Sequence, residues 1–323
     1  MKAIFQNKYG SSDVLMYGDL PQPAIGRHQV LVEVYASSIN PRDWLIRSGR
    51  YQLQFLVPAF PLVLGSDISG VVVAVGASVT RFKPGDPVFG MKNPAQGLGA
   101  HAEFAAVNEA SLASKPQSLD FDAAGGMPLC SLTAWQALVD IADVQRGKRV
   151  LIIGASGGVG TFAVQISKAL GAVVTGVCSA TNHALVKSLG ADYAIDYKAD
   201  DFKNMGSTYD IIFDTIGRES LASCKGVLAA GGMYVSTIPT PKNLVAALAS
   251  KVKHAVFKSS KRCGVVMVKP CHTSLEKIAA LVQKGQIITV VDSVFPLMDA
   301  KKAHDLSRSL RAKGKVVLHV KGV

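Results

Sequence analysis

Acidic residues are scarce in this chain: 23 Asp and Glu stand against 35 Lys and Arg in 323 residues, a formal charge of +12. Two windows, 161–191 and 242–261, hold no carboxylate at all, the first within an acid-free run of 144–191 and the second within one of 220–275. Cysteine is sparse too. Cys130, Cys178, Cys224, Cys263 and Cys271 form no CxxC pair, which argues against a disulfide framework and fits reduced thiols. Cys263, Cys271 and His272 have a spacing that matches no common zinc site. Although 49% of the residues are hydrophobic, no apolar run reaches membrane-spanning length. The opening MKAIFQNKYG alternates like a strand and has neither an apolar signal core nor an arginine-rich presequence, so a cytoplasmic protein is expected. No recognition motif accompanies the basic excess, and nucleic acid is not an expected partner.

What is present is organised around residues 149–182. Residues 150–153 form a short apolar run bounded by glycine and read as a buried strand. Gly154, Gly157 and Gly160 follow at three-residue spacing, and Val159, Ala163, Ile166 and Leu170 then recur at helical spacing. Residues 173–178 read as a second buried strand. Strand, glycine turn, helix and strand make one βαβ unit of the kind that binds a dinucleotide. Glycine keeps side chains away from a diphosphate, and the helix start offers unpaired N–H groups to that anion. An NAD-type site places a carboxylate near the end of the second strand to accept from the adenosine 2′-hydroxyl. This strand ends instead in Cys178, Ser179, Ala180, Thr181 and Asn182. Hydroxyls and an amide can donate to a 2′-phosphate that a carboxylate would repel, so NADP(H) is the expected cofactor.

Residues 1–122 have a different texture. Short β-rich runs at 29–35, 68–75 and 87–89 alternate with turns such as Lys83-Pro84-Gly85-Asp86, which predicts a small barrel-like β domain. Residues 121–141 read as one helix. Beyond 149, apolar runs at 210–214, 232–236 and 264–268 alternate with helical or loop segments, which predicts a doubly wound parallel sheet. A helix is read at 275–283. The closing β-rich run 316–320 has no place in that sheet and is expected to return to the first domain. The fold class is therefore α/β, a β-barrel domain from residues 1–122 and 290–323 plus a nucleotide-binding domain from 123–289.

The segments ASSINPRDWLIRSGRY, FPLVLGSDISGVVVAVGASVTRFKPGDPVFG, GAHAEFAAVNEASLASKPQSLDFDAAGGMPLCSLTAWQALV, VLIIGASGGVG, LGADYAIDY and GKVVLHV span nearly the whole chain. In that order they resemble the zinc-independent medium-chain dehydrogenase/reductases of the quinone oxidoreductase (zeta-crystallin-like) and enone reductase branch. The resemblance implies a GroES-like catalytic domain, a Rossmann domain and a homodimer. Zinc-dependent cousins carry a cysteine where this chain has Asn40 and a histidine near Ser66, and their four-cysteine lobe would fall near 90–112, where there is none. No metal is expected.

The implied reaction is hydride transfer from NADPH to a quinone or to the β-carbon of an α,β-unsaturated carbonyl. Negative charge then develops on the acceptor oxygen, and a donor must meet it. By resemblance Asn40 and Tyr51 line the nicotinamide and acceptor pocket; Tyr, with a reference pKa of about 10, stays protonated and donates. Asp43 and Asp67 read as structural. Cofactor contacts carried over by motif are Thr133, the turn Gly154, Ala155, Ser156, Gly157, Gly158, Val159 and Gly160, then Thr215, Ile216, Gly217 and Ile238. Ser179, Asn182 and Tyr197 are the residues left to meet the 2′-phosphate. Two departures matter: Leu45 replaces a lysine or tyrosine of family enone reductases, and Asn182 replaces a lysine of some NADP-preferring members.

Residues 243–257 read as an amphipathic helix with Leu244, Leu248, Val252, Ala255 and Val256 in one arc, expected to be a surface helix that covers the cleft or a subunit contact, with a solvated lysine face, core-facing amphipathic helices being the common case. Docking of the basic 241–262 stretch on an anionic membrane or an acidic substrate is the sharper alternative. Two rival functions stay open. One is an enoyl-thioester reductase; the other is a non-catalytic NADPH-binding partner protein, to which Leu45 lends weight.

Overall fold

In the structure, a computed structural model, residues 1–93, 97–257 and 260–321 are described, the side chain of Val256 excepted. Two compact units form. One combines Met1–Leu129, Lys269–Lys284 and Thr289–Val323, the other Cys130–Val268 and Gly285–Ile288.

The first unit is β-rich because its sequence alternates and is cut by glycine and proline. It runs through β1 (Lys2–Gln6), β2 (Met16–Asp19), β3 (Gln29–Ile39), helix α1 (Pro41–Arg47), β4 (Leu62–Val63), β5 (Asp67–Val75), β6 (Pro87–Met91), β7 (Phe104–Asn108), β8 (Leu112–Ser114) and α2 (Phe121–Gly125). The antiparallel β3–β5–β6 meander carries Val30, Val32, Val34, Ile68, Val72 and Val88 on one face as a dry core. The single helix read at 121–141 is in fact broken. α2 stops at Gly125-Gly126, and α3 (Pro128–Trp135) begins on a proline that has no N–H to donate back. Its continuation, 136–141, is wound as a π-helix.

The second unit is the expected parallel sheet. β9 (Arg149–Ile153), α4 (Gly158–Ala169), β10 (Val173–Cys178), α5 (His183–Ser188), β11 (Tyr193–Asp196), β12 (Tyr209–Asp214), β13 (Leu228–Ser236), α6 (Pro241–Val256) and β14 (Arg262–Val265) follow in chain order. The strands lie side by side as β11-β10-β9-β12-β13-β14, all pairs parallel. The order reverses at β9 and β12, and ligands of such sheets bind outside the carboxyl ends of strands at that point.

Helix α6 is a surface helix, but its orientation differs from the core-facing one. Its apolar arc does not face the core: Leu244, Val245, Leu248 and Val252 are exposed, and Ala255 with them. The inward face is made of Asn243, Ala246, Ala247 and Ser250. The reason lies in what α6 packs on. Ser250 Oγ accepts from Cys263 N at 2.8 Å, and Asn243 Nδ2 donates to Ile238 O at 3.0 Å, so small polar residues fit the surface beneath. Lys258, part of the same basic stretch, and the Val256 side chain lie outside the described residues.

The chain then returns to the first unit through α7 (His272–Gln283), β15 (Val291–Pro296), α8 (Ala300–Arg308) and β16 (Lys315–His319). β16 pairs antiparallel with β3. α8 brings His304 against His101, both fully buried, with ring centroids 5.7 Å apart and edges to faces. Neither nitrogen of His304 has a partner, nor has Nδ1 of His101.

Burial holds both imidazoles below the usual histidine range, and the nearby His101 and Arg47 lower His304 further. The folded protein keeps these rings neutral where the unfolded chain takes up a proton at about pH 6.5. Their contribution is therefore intact above that pH and is lost as pH falls through it toward the lower folded value, at up to about 1.4 kcal/mol per pH unit and ring. Asp43, whose carboxyl burial raises, acts with the opposite sign. Urea unfolding should show less stability at pH 5.5 than at pH 7.5, and His304→Gln should flatten that dependence. An unchanged slope in the variant would remove His304 from the account.

Candidate functional site

The glycine turn between β9 and α4 is built by close approach. Gly154 has φ +81°, and a Cβ there would meet Thr215 Oγ1 at 2.6 Å. Gly160 is tighter still: its Cβ would lie 2.1 Å from Gly154 O. Gly154 N and Ala155 N both donate to Val177 O at 3.0 Å, which ties the turn to β10. Gly157 differs, because a Cβ there would have nothing nearer than Gly154 O at 3.5 Å. It would project into the open space before α4. Among the described residues no side chain caps α4. Its first amides, at Gly158, Val159 and Gly160, thus start a helix whose positive end is open to an anion. The residues fit a dinucleotide diphosphate.

At the end of β10 the structure gathers Ser179, Asn182 and Tyr197. Tyr197 N donates to Cys178 O at 3.3 Å, and Ser179 Oγ lies 3.0 Å from Thr181 Oγ1. Asn182 reaches back to the glycine turn, its Nδ2 donating to Ser156 Oγ at 3.0 Å. One N–H of the amide is thus engaged and its second remains a donor, while Oδ1 is buried with no partner among the described residues. The sequence reading missed a cation. Arg218 places its guanidinium over the Tyr197 ring, 5.6 Å from the centroid. The signal was available, since Arg218 directly follows the Thr215-Ile216-Gly217 run already singled out.

That run is shaped by Asp214, also missed. Its buried carboxylate accepts from Gly217 N at 2.8 Å, Ile216 N at 3.1 Å and Glu219 N at 2.8 Å. Thr215 Oγ1 donates to Ile153 O at 2.8 Å, and Thr237 Oγ1 to Thr215 O at 3.0 Å, so the ends of β9, β12 and β13 are joined. Gly217 packs against Ile238 so closely that a Cβ would meet Ile238 Cγ1 at 2.3 Å. Thr133 sits buried in α3.

In the first unit Asn40 is fully buried. Its Oδ1 accepts from Lys315 Nζ at 2.6 Å, and its Nδ2 donates to Asp67 Oδ2 at 2.9 Å. Asp67 accepts also from Ser38 Oγ at 2.5 Å, Leu129 N at 2.6 Å and Lys315 Nζ at 3.4 Å. Asp43 Oδ2 accepts from Asn40 N at 2.7 Å, which fixes the start of α1. Both acids are engaged in buried hydrogen bonds. Tyr51 lies elsewhere in this unit, half-buried against Ile46, Leu62 and Leu64. The cluster does not fit a zinc ion. The Asn40 amide is held by an ammonium and a carboxylate, and the Ser66 hydroxyl accepts from Arg42. Among the described residues no three His, Cys, Asp or Glu come together as metal ligands.

Two family models match the chain: "Alcohol dehydrogenase GroES-like domain" over residues 26–117 and "Zinc-binding dehydrogenase" over residues 189–318. The chain is 36% identical to the mitochondrial NAD(P)H oxidoreductase RTN4IP1 of Bos taurus, covering 99% of this chain and 89% of that one. It is 33% identical to the 2-methylene-furan-3-one reductase of Solanum lycopersicum, covering 99% and 79%. The solved structure of the quinone oxidoreductase from Coxiella burnetii superposes with a TM-score of 0.90 at 30% identity, covering 99% of both chains.

Two glycines with different surroundings make a paired test of the turn. Gly160→Ala should unfold at lower temperature, because its methyl strikes the Gly154 carbonyl. Gly157→Ala should keep the fold to within about 1 kcal/mol yet weaken dinucleotide binding at least about tenfold, since its methyl enters the space of the anion. Equal binding by Gly157→Ala in calorimetry would move the diphosphate off this turn. Separately, Lys315→Met should cost about 3–5 kcal/mol in denaturant unfolding, because it leaves the Asp67 charge buried without its cation.

Proposed function

Since the chain belongs to the medium-chain dehydrogenase/reductase superfamily, in its quinone oxidoreductase branch, we propose that this NAD(P)H oxidoreductase transfers hydride from NADPH to a quinone or to the double bond of an α,β-unsaturated carbonyl. The observation that carries the reading is the open amino end of α4 behind the Gly154–Gly160 turn, with Arg218 stacked on Tyr197 near the end of β10. When bound, the reduced nicotinamide supplies the hydride. The protein's own residues place and stabilise. Amides at the start of α4 hold the diphosphate, and Ser179, Tyr197 and Arg218 receive the 2′-phosphate, the last with the charge that Asn182 lacks. Thr215, Ile216, Gly217 and Ile238, set at the strand ends by Asp214, shape the path of the coenzyme, and Thr133 borders it.

The Tyr51 phenol is the donor proposed for the oxygen on which charge develops. Asn40 acts as a positioning residue, since both ends of its amide are taken by Lys315 and Asp67. A homodimer and a cytoplasmic location complete the reading; the Bos taurus relative is by name mitochondrial.

NADPH absorbance followed with a panel of quinones and enones tests the reaction. Turnover is expected, and Tyr51→Phe should lower kcat by about 10²–10³ with coenzyme affinity unchanged. Consumption only with enoyl thioesters would favour the thioester reductase, and tight NADPH binding with no consumption would favour the partner-binding protein. Arg218→Ala should weaken NADPH by about ten- to a hundredfold and leave NADH unchanged. A wild-type preference for NADH would hand the ribose to Asp196, the acid register-paired with Cys178.

A further inference from the structure

We propose that α6 is an in-plane docking helix for an anionic lipid surface. It presents an apolar stripe to solvent: Leu244 is 44% exposed, Val245 68%, Leu248 68% and Val252 63%, with Phe257 at 62% directly beyond the helix. At 100° per residue these four helical positions fall within an arc of about 100°. Lys251 is exposed about 20° beyond one edge of the arc, and Lys242 and Lys253 are exposed about 60–80° beyond the other, on the flank of the helix. The core-facing residues Asn243 and Ser250 lie opposite the stripe.

The outward aim of the stripe is fixed. Asn243 Nδ2 donates to Ile238 O, Ser250 Oγ accepts from Cys263 N, and the Thr240 hydroxyl caps the helix by accepting from Asn243 N at 3.1 Å. Turning the stripe inward would break these bonds and carry lysine toward the sheet. An exposed apolar stripe of this size on a rigid helix marks a surface that something covers.

Charge selects the occupant. No carboxylate occurs from 242 to 261, so a second copy docked by twofold symmetry would set lysine against lysine. An anionic bilayer meets both parts of the face at once. The Leu and Val side chains enter the acyl boundary, while the lysine stems lie along it and keep their ammonium groups among the headgroup charges. Each lysine at such a surface contributes about fivefold to partitioning. Among the described residues no helix is long and apolar enough to cross a membrane, so the contact is peripheral. Neither the stripe nor the charge suffices alone, which makes the docking dependent on lipid charge and on salt.

Flotation of the full chain with vesicles of phosphatidylcholine, with and without phosphatidylglycerol, tests this independently of catalysis. Binding is expected only to the phosphatidylglycerol vesicles, reduced at least about tenfold by high salt. Leu248→Glu with Val252→Glu should abolish it, as should Lys251→Glu with Lys253→Glu, while thermal unfolding and NADPH binding stay as in the wild type. Failure of the wild type to float, or flotation of the Leu248→Glu and Val252→Glu variant like the wild type, would overturn the proposal. So would a wild-type oligomer in light scattering that this variant dissolves, because a second copy would then own the face.

Discussion

The second unit depends on one close approach, that of the α4 amino end to the carboxyl end of β9. Room for it exists only because Gly154 and Gly160 have no side chains: a methyl on either would strike atoms within 2.6 Å. The turn they make is stitched to β10 through Val177 O and to β12 through Thr215 Oγ1. Three strand ends therefore converge on one helix start. That convergence makes the site rigid, and rigidity lets backbone amides bind an anion without reorganising.

The first unit answers a different constraint, a carboxylate taken fully out of water. Asp67 is tolerated because Ser38, Asn40, Leu129 and Lys315 surround it with donors, one of them charged. A buried pair of this kind is weak evidence for stability, since desolvation offsets much of the attraction. Its effect is on specificity of structure. Lys315 on the last strand and Asn40 at the start of α1 must meet, which pins β16 beside β3 in one register. The same network occupies both ends of the Asn40 amide.

Much of the fold was legible because its signals are local. The 149–182 run carries strand, turn and helix within one window; the runs read at 210–214 and 232–236 lie inside β12 and β13, while β14 ends at Val265 and overlaps the run read at 264–268 by only two residues. What escaped depends on contacts distant in sequence. Lys315 and Asn40 are 275 positions apart, so nothing in GKVVLHV announces a buried ammonium. Asp214 looks like any strand-ending acid until its carboxylate is seen to organise the following loop. The outward face of α6 was misread for a related reason. Periodicity locates an apolar stripe but not the side on which the rest of the protein lies, and here the sheet offered partners to Asn243 and Ser250 instead of to leucine.

The two windows without acid can now be weighed together. The first covers α4, β10 and α5, where a carboxylate would repel a bound phosphate. The second covers α6, where a carboxylate would repel an anionic bilayer. The acid-free runs are wider than either surface, 144–191 and 220–275, but each includes one that suits negative charge: the α4 amino end in the first, and in the second the exposed apolar stripe of α6 with its lysines. The two differ in what anchors the anion. In the first, donors are held in place and select a molecule. In the second, long flexible side chains hold a charge density with no particular geometry, which suits a surface of many interchangeable headgroups.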